Sequence, residues 1–420
     1  MRRSLTIANE SLRTGIFWVH LVTGAVAGGV ILLMSATGVL LTYEKQMLEW
    51  ADRRQSALVA QPPGARPLPP ARLLTAASVA NRGDVPTGIT MRLAAGAPAT
   101  VTFDGGRALL VDPHRAATLG EPSPRLRAFF RATTNWHRWI ALEGTSRGTG
   151  RAITGAANLG FLFLVVSGIY LWVPRLWTRP QFTQVLWFRR GLLPKARDFN
   201  WHNVIGIWSA VPLAIVVAGA VPISYPWASN LVYRMAGEAP PAPPPQVARA
   251  GGLAGSGGPG ATGRARGGER EQGRDATLDE RPAVVLSGLD AAWVAAQAHA
   301  PEWRSMTMRL GDSATAPVVI SLDAGYGGQP QLRSTITIDR ATSAVVKAET
   351  FGDLGPGRRA RSWLRFAHTG EYYGLAGQTI AGIVSAGGAV LVCTGIALAL
   401  RRLWAWRRRR THRTEASQAA

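Results

Sequence analysis

Seven histidines offer this sequence its richest chemistry, and four of them recur in pairs. His20 in "FWVHLVTG" and His202 in "FNWHNVIG" share the pattern His-x-x-x-Gly, completed by Gly24 and Gly206. His137 in "TTNWHRW" and His368 in "RFAHTGEYY" each stand a short stretch before an apolar run. Two neutral imidazoles facing each other across a helix bundle are what a six-coordinate b-type haem needs, because the porphyrin fills the equatorial positions and the protein supplies the axial ligands. The expected iron ligands are therefore His20 with His202 and His137 with His368, holding two haem b groups. No catalytic side chain is assigned. The sequence has no C-x-x-C-H, which excludes a covalently attached c-type haem. Two His plus a carboxylate would suit zinc, but nearby acids are sparse: Glu143, Glu371 and Asp198. Gly24, Gly28, Gly29, Gly155, Gly160 and Gly206 are small enough to let a flat macrocycle approach the helices. Nearby Trp and Tyr suit its faces, and Arg suits its propionates.

These histidines need helices to hold them. Four apolar runs, uncharged over 16–43, 153–173, 204–225 and 379–400, are long enough to cross a bilayer, at about 20 residues each. The spans are expected over 16–43, 151–174, 201–226 and 379–400. The first is too long for the apolar segment of a cleaved signal peptide, so it is expected to be retained. Arg2, Arg3 and Arg13 precede the first run. Arg175, Arg179, Arg189, Arg190, Lys195 and Arg197 fill the loop 175–200. Arg401, Arg402 and Arg407 to Arg410 follow the last run. Short basic segments stay in the cytoplasm. The N-terminus (1–15), the loop and the tail (401–420) are thus expected inside, and segments 44–150 and 227–378 outside. This describes a multi-pass protein of a bacterial inner membrane. His20 and His202 fall near its inner face, His137 and His368 near its outer face.

The two halves of the chain match in order. "ITMRLAAGAPATVTF" near Met91 parallels "MTMRLGDSATAPVVISL" near Met308, and "RALLVDP" parallels "STITIDR". A helix-like run precedes each, Ala71–Ala80 and Asp290–Ala298, giving a helix followed by antiparallel strands. "SGIYLWVPR" and "TGIALALRR" close the second and fourth runs alike. The offset between matched histidines grows from 182 (202 − 20) to 231 (368 − 137). The extra length lies in a Pro/Gly/Arg-rich stretch, 237–281, which has little to bury and is expected to be a disordered insert.

Composition narrows the classes further. The net charge is +22, yet charged residues are only 17% and hydrophobic ones 47%. Arg concentrated beside apolar runs fits a membrane protein that contacts lipid and binds no nucleic acid. One cysteine, Cys393, excludes a disulfide scaffold and is expected to pack as a small apolar residue. His114, His299 and His412 are expected to be solvated. No P-loop or dinucleotide fingerprint is present, and the inner segments are too short for a flavin or nicotinamide domain. Any electron donor must then be a quinol or a separate reductase.

The motifs "WVHLVTGAVAGGVILLMSATGVLLTYE", "NWHRWIAL", "SGIYLWVPR", "FNWHNVIGIWSA" and "FAHTGEYYGLAGQTIAGIV", in that order, resemble the PepSY-associated transmembrane family. The resemblance leaves out the insert and the tail, and span four lacks the family's usual Trp pair and Pro. It implies a mainly α, four-span membrane protein in two tandem repeats, with two small α/β PepSY-like domains outside. It also implies haem, a role in iron uptake, and reduction of a ferric chelate or siderophore as acceptor. The alternative is a PepSY-type regulator that binds a peptide or protease and merely anchors in the membrane. Oligomeric state is not legible.

Overall fold

The computed structural model describes residues 2–57, 66–173, 178–241, 286–311, 313 and 315–418. From residue 242 onward the expected insert lies outside the described residues. The chain divides into two compact units. One comprises Met1–Glu44, Ala128–Glu238 and Pro356–Ala420, and the other Lys45–Arg127 and Ala239–Gly355.

The first unit is helical. Its long helices are α1 (Arg2–Leu41), α5 (Arg147–Trp172), α7 (Pro194–Ser224) and α11 (Gly374–Gln418). Shorter helices are α4 (Pro124–Trp139, apart from its first four residues), α6 (Arg179–Leu186), α8 (Pro226–Met235) and α10 (Pro356–His368). Four segments are long and apolar enough to cross a membrane: Glu10–Ser56, Gly144–Trp172, Pro194–Ser224 and Glu371–Arg409. Each covers most of one run expected from the sequence. A helix is the natural answer, because lipid offers no partners for backbone N–H and C=O groups. α1 packs against α5 and α11, and α7 packs against the same two, so α1 and α7 stand at opposite corners of the bundle. Ile31, Ala157 and Val392 fill one part of its interior, and Leu213, Val217 and Val384 another. The outward faces are also apolar. Val26 is 80% exposed and Val211 68%, which suits lipid far better than water.

The second unit holds α2 (Glu44–Ala57, apart from its first residue), α3 (Pro70–Ala80) and α9 (Leu289–His299). Its strands are β1 (Pro86–Arg92), β2 (Ala99–Phe103), β3 (Ala108–Val111), β4 (Thr118–Gly120), β5 (Ser305–Arg309), β6 (Val318–Asp323), β7 (Arg333–Ile338) and β8 (Val345–Thr350). The sequence reading expected two small α/β domains here. The strands instead form one eight-stranded sheet in the order β4-β3-β2-β1-β5-β6-β7-β8. β1 and β5 pair antiparallel at its centre, with Thr90 opposite Thr307 and Met91 opposite Met306. Four strands and one helix bury too little apolar surface to stand alone comfortably. Joining the edges of β1 and β5 removes two open strand edges and creates one core. That core runs from Leu73, Leu74 and Ala77 of α3 through Ile89, Met306, Met308 and Ile320 to Leu289, Ala292 and Trp293 of α9. Asp290 Oδ1 accepts the free N–H of Ala71 in the first turn of α3, 2.8 Å away, tying the two helices together.

The domain boundaries also differ from expectation. Residues 128–150, assigned from sequence to the first outer segment, belong with the helical unit, as does α10. Both carry one of the four histidines, so all four lie in one unit.

Candidate functional site

His20 lies on α1 and His202 on α7, the opposite corners of the bundle. Each reaches to a neighbouring helix. His20 Nδ1 is 2.8 Å from Ser167 Oγ on α5, and His202 Nδ1 is 3.0 Å from Thr394 Oγ1 on α11. A hydroxyl has a single hydrogen, and both are already committed. Ser167 Oγ donates to the Phe163 carbonyl at 2.6 Å, and Thr394 Oγ1 to the Val390 carbonyl at 2.8 Å. The hydroxyl oxygens must therefore accept, and each imidazole carries its hydrogen on Nδ1. The lone pair is left on Nε2. A fixed tautomer with one bonded nitrogen and one open nitrogen is the arrangement found in metal-ligating histidines.

The second pair repeats this logic. His137, near the end of α4, has Nδ1 2.9 Å from Thr37 Oγ1 on α1. Thr37 Oγ1 donates to the Leu33 carbonyl at 2.6 Å, so it too accepts from the ring. His368 closes α10, and its Nδ1 donates to the Val216 carbonyl of α7 at 2.7 Å. A carbonyl can only accept, so this tautomer is fixed as well. The two rings have centroids 6.4 Å apart and planes inclined at 43°. Two metal–imidazole bonds of about 2 Å each, with the nitrogen-to-centre distance of two rings, make roughly 6 Å. Burial holds both rings below the ordinary imidazole range, His137 down to about 4, with the neighbouring His368 as the next cause. They are neutral at physiological pH, as ligands must be.

The bases of these sites are glycines, and not those expected. An added Cβ on Gly168 would meet His20 Cε1 at 3.6 Å, on Gly395 His202 Cε1 at 3.4 Å, and on Gly38 His137 Cε1 at 3.6 Å. Gly219 faces the His368 backbone and Cβ, 3.1 Å away. The glycines singled out from sequence do other work. Gly24 faces Leu164, Gly28 faces Ile396, Gly160 faces Thr23 and Gly206 faces Leu391, all helix-to-helix contacts; Gly155 faces Tyr225 between α7 and α8, and Gly29 has open space around it. A small residue precedes each of them: Thr37-Gly38, Ser167-Gly168, Ala218-Gly219 and Thr394-Gly395. Thr23-Gly24, Ala27-Gly28 and Thr154-Gly155 share that step, so the sequence alone does not single out the glycines that face the rings. The hydroxyl bonds the ring and the glycine makes room for it. In α7 the hydroxyl is missing, and a backbone carbonyl takes its place.

Along α1 the two levels are well separated. From residue 20 to residue 37 a helix rises about 25 Å, close to the hydrocarbon thickness of roughly 30 Å. Zinc fits poorly at either level. Among the described residues no three His, Cys, Asp or Glu gather as a ligand group. Asp198 is held by Arg197 at 3.0 Å and Arg401 at 2.6 Å, and Glu371 accepts from Thr369 at 2.9 Å. Paired imidazoles whose Nε2 atoms are unbonded among the described residues suit a metal whose other ligands come from a macrocycle. Of the remaining residues, His299 is exposed as expected. His114 is not simply solvated: its backbone N–H bonds Asp112 Oδ1 and its Nδ1 is buried. Cys393 faces outward instead of packing inside the bundle. The side chain of His412 lies outside the described residues.

A family model for the PepSY-associated TM region matches residues 17–402. The chain belongs to this family. It is a membrane protein by that membership and by its four apolar helices. No curated protein is similar enough to the chain to match it. All four paired histidines of this PepSY-associated TM protein, and the four glycines beside them, lie inside the matched region.

Proposed function

We propose that the protein carries electrons across a bacterial inner membrane through two b-type haems and delivers them to an acceptor on the outer side, a ferric chelate such as a ferric siderophore. The observation that carries this reading is the common support of four imidazoles: Nδ1 held by an acceptor in every case, with Nε2 unbonded among the described residues. His20 and His202 would hold the inner haem, His137 and His368 the outer one. Bound there, haem supplies one-electron chemistry at each membrane face. The protein's own part is to fix four neutral ligands at two levels, keep water out of the packed middle, and provide outer arginines. In this reading the basic termini and loop 175–200 are cytoplasmic, the eight-stranded sheet is the PepSY-like part outside, and the duplicated strand order records two tandem repeats. The donor is a quinol or a separate reductase. Reduction releases iron because Fe(II) is held less tightly by oxygen ligands than Fe(III).

Purified protein from haem-replete cells should show a b-type spectrum with close to two haems per chain by pyridine haemochrome. A colourless preparation would refute the reading. With haem bound, reduced protein in proteoliposomes should be reoxidised by an impermeant external ferric chelate. Failure with every such acceptor would leave a haem protein that is no reductase, and would favour the regulatory alternative.

A further inference from the structure

Beside the His137–His368 pair the helical unit gathers four arginines. Arg138 follows His137 directly, and Arg365 precedes His368 by about one helical turn. Arg147 and Arg151 lie one turn apart at the start of α5, on the same face. Arg138 and Arg147 both stack on the Trp139 ring, 4.7 and 4.3 Å from its centre. Arg151 and Arg365 lie near enough for their charges to act on Arg138, as Arg147 does. Arg147 Nε is buried and has no hydrogen-bond partner among the described residues. The loop that brings α4 onto α5 is tightly built. Gly150 sits directly against the Trp139 carbonyl, where no Cβ fits, and Thr154 Oγ1 donates to the Arg138 carbonyl at 3.0 Å.

Arg138, Arg147 and Arg151 are like charges held close together, and an anion bound among them would relieve their repulsion. Haem propionates would neutralise two of them. An excess of positive charge would remain, displayed on an exposed Arg151. Guanidinium forks match carboxylates in bidentate fashion, and an aromatic ring between two of them holds the forks rigid.

We propose that Arg138, Arg147 and Arg151 form the docking site for a negatively charged ferric chelate, one bearing free carboxylates, and that cationic chelates are turned away. This rests on the reductase reading for its purpose, but the anion site itself does not depend on haem.

The test uses the full chain in phosphatidylcholine nanodiscs, with gallium(III) citrate as a redox-inert anionic probe and a cationic gallium trihydroxamate as control. Binding is read by calorimetry and by Trp fluorescence. Wild type should bind the citrate complex at least tenfold more tightly than the cationic one, with affinity falling as salt rises. Arg151→Gln should weaken citrate binding about tenfold, a loss of roughly 1.4 kcal/mol, and leave haem content unchanged. Arg151→Lys, which keeps the charge but not the fork, should fall between the two and covers the case in which Arg151→Gln does not fold. Equal binding of both probes, or unchanged citrate binding in Arg151→Gln, would overturn the proposal. So would loss of haem in that variant, which would assign the cluster to propionates. Loss of citrate binding on adding phosphatidylglycerol at constant ionic strength would assign it to lipid headgroups instead. A haem-free protein that still discriminates the two probes would sink the haem reading and leave this proposal standing.

Discussion

The His20/His202 pair and the His137/His368 pair are held in the same way by different parts. In the first, both histidines sit on spanning helices and both lean on hydroxyls, Ser167 and Thr394. In the second, both histidines sit on short helices outside the apolar spans, and the supports differ: a hydroxyl at Thr37 for His137, a backbone carbonyl at Val216 for His368. The first pair is built wholly from the bundle's own helices. The second depends on how α4 and α10 dock onto it, and α10 docks through close backbone contact at Gly219. A site can therefore be duplicated in sequence while its support is rebuilt on one side only.

The comparison predicts separable losses. His20→Ala or His202→Ala should remove one of two haems, and His137→Ala or His368→Ala the other, as counted by pyridine haemochrome. One substitution that empties both sites would show that the pairs are not independent, and a double variant such as His20→Ala, His137→Ala that keeps one full haem would show the pairing is wrong.

The docking contact gives the next effect. A Cβ on Gly219 would sit 2.5 Å from the Leu364 carbonyl oxygen, where only backbone movement can make room. Gly219→Ala should destabilise the protein by about 1–3 kcal/mol and deplete the outer haem. Gly38→Ala meets only ordinary contact at 3.6 Å and should be tolerated. Thermal unfolding alongside haem stoichiometry compares them directly, and equal behaviour would mean that α10 does not rest on Gly219.

Removing the hydroxyls should cost less. Ser167→Ala, Thr394→Val and Thr37→Val each take away the acceptor that fixes a tautomer, a change worth about 10–100-fold in metal affinity. Haem titration of the apoprotein measures this. Ala218→Thr should have no comparable effect, since His368 already has its carbonyl partner. The smallest effect is expected in the sheet. Thr90→Val breaks a hydroxyl pair with Thr307, 3.0 Å apart at the central strand junction. It should cost about 0.2–1 kcal/mol and leave both haems in place.

Much of this was legible in the sequence. The four spans follow from uncharged runs long enough to cross lipid, and the matched histidines follow from local motifs repeated in order. The helices before each strand set were visible from their apolar pattern, and they form α3 and α9. The glycines under the rings were missed because a glycine's role depends on what faces it from another helix. Gly28 and Gly38 lie on the same helix, yet one meets Ile396 and the other His137. The single sheet was missed for a related reason. Pairing of β1 with β5 joins residues more than two hundred positions apart, and strand patterns report which face is buried but not which edge is shared.

By itself, the sequence determined the number of spans, the four paired histidines and the order of both halves. These depend on side-chain chemistry and local periodicity, which a chain carries wherever it folds. Only the tertiary structure decided which nitrogen of each histidine stays open, which glycine makes room for it, and that eight strands share one core. Those outcomes depend on which helices and edges meet, and that is set by packing between segments distant in the chain.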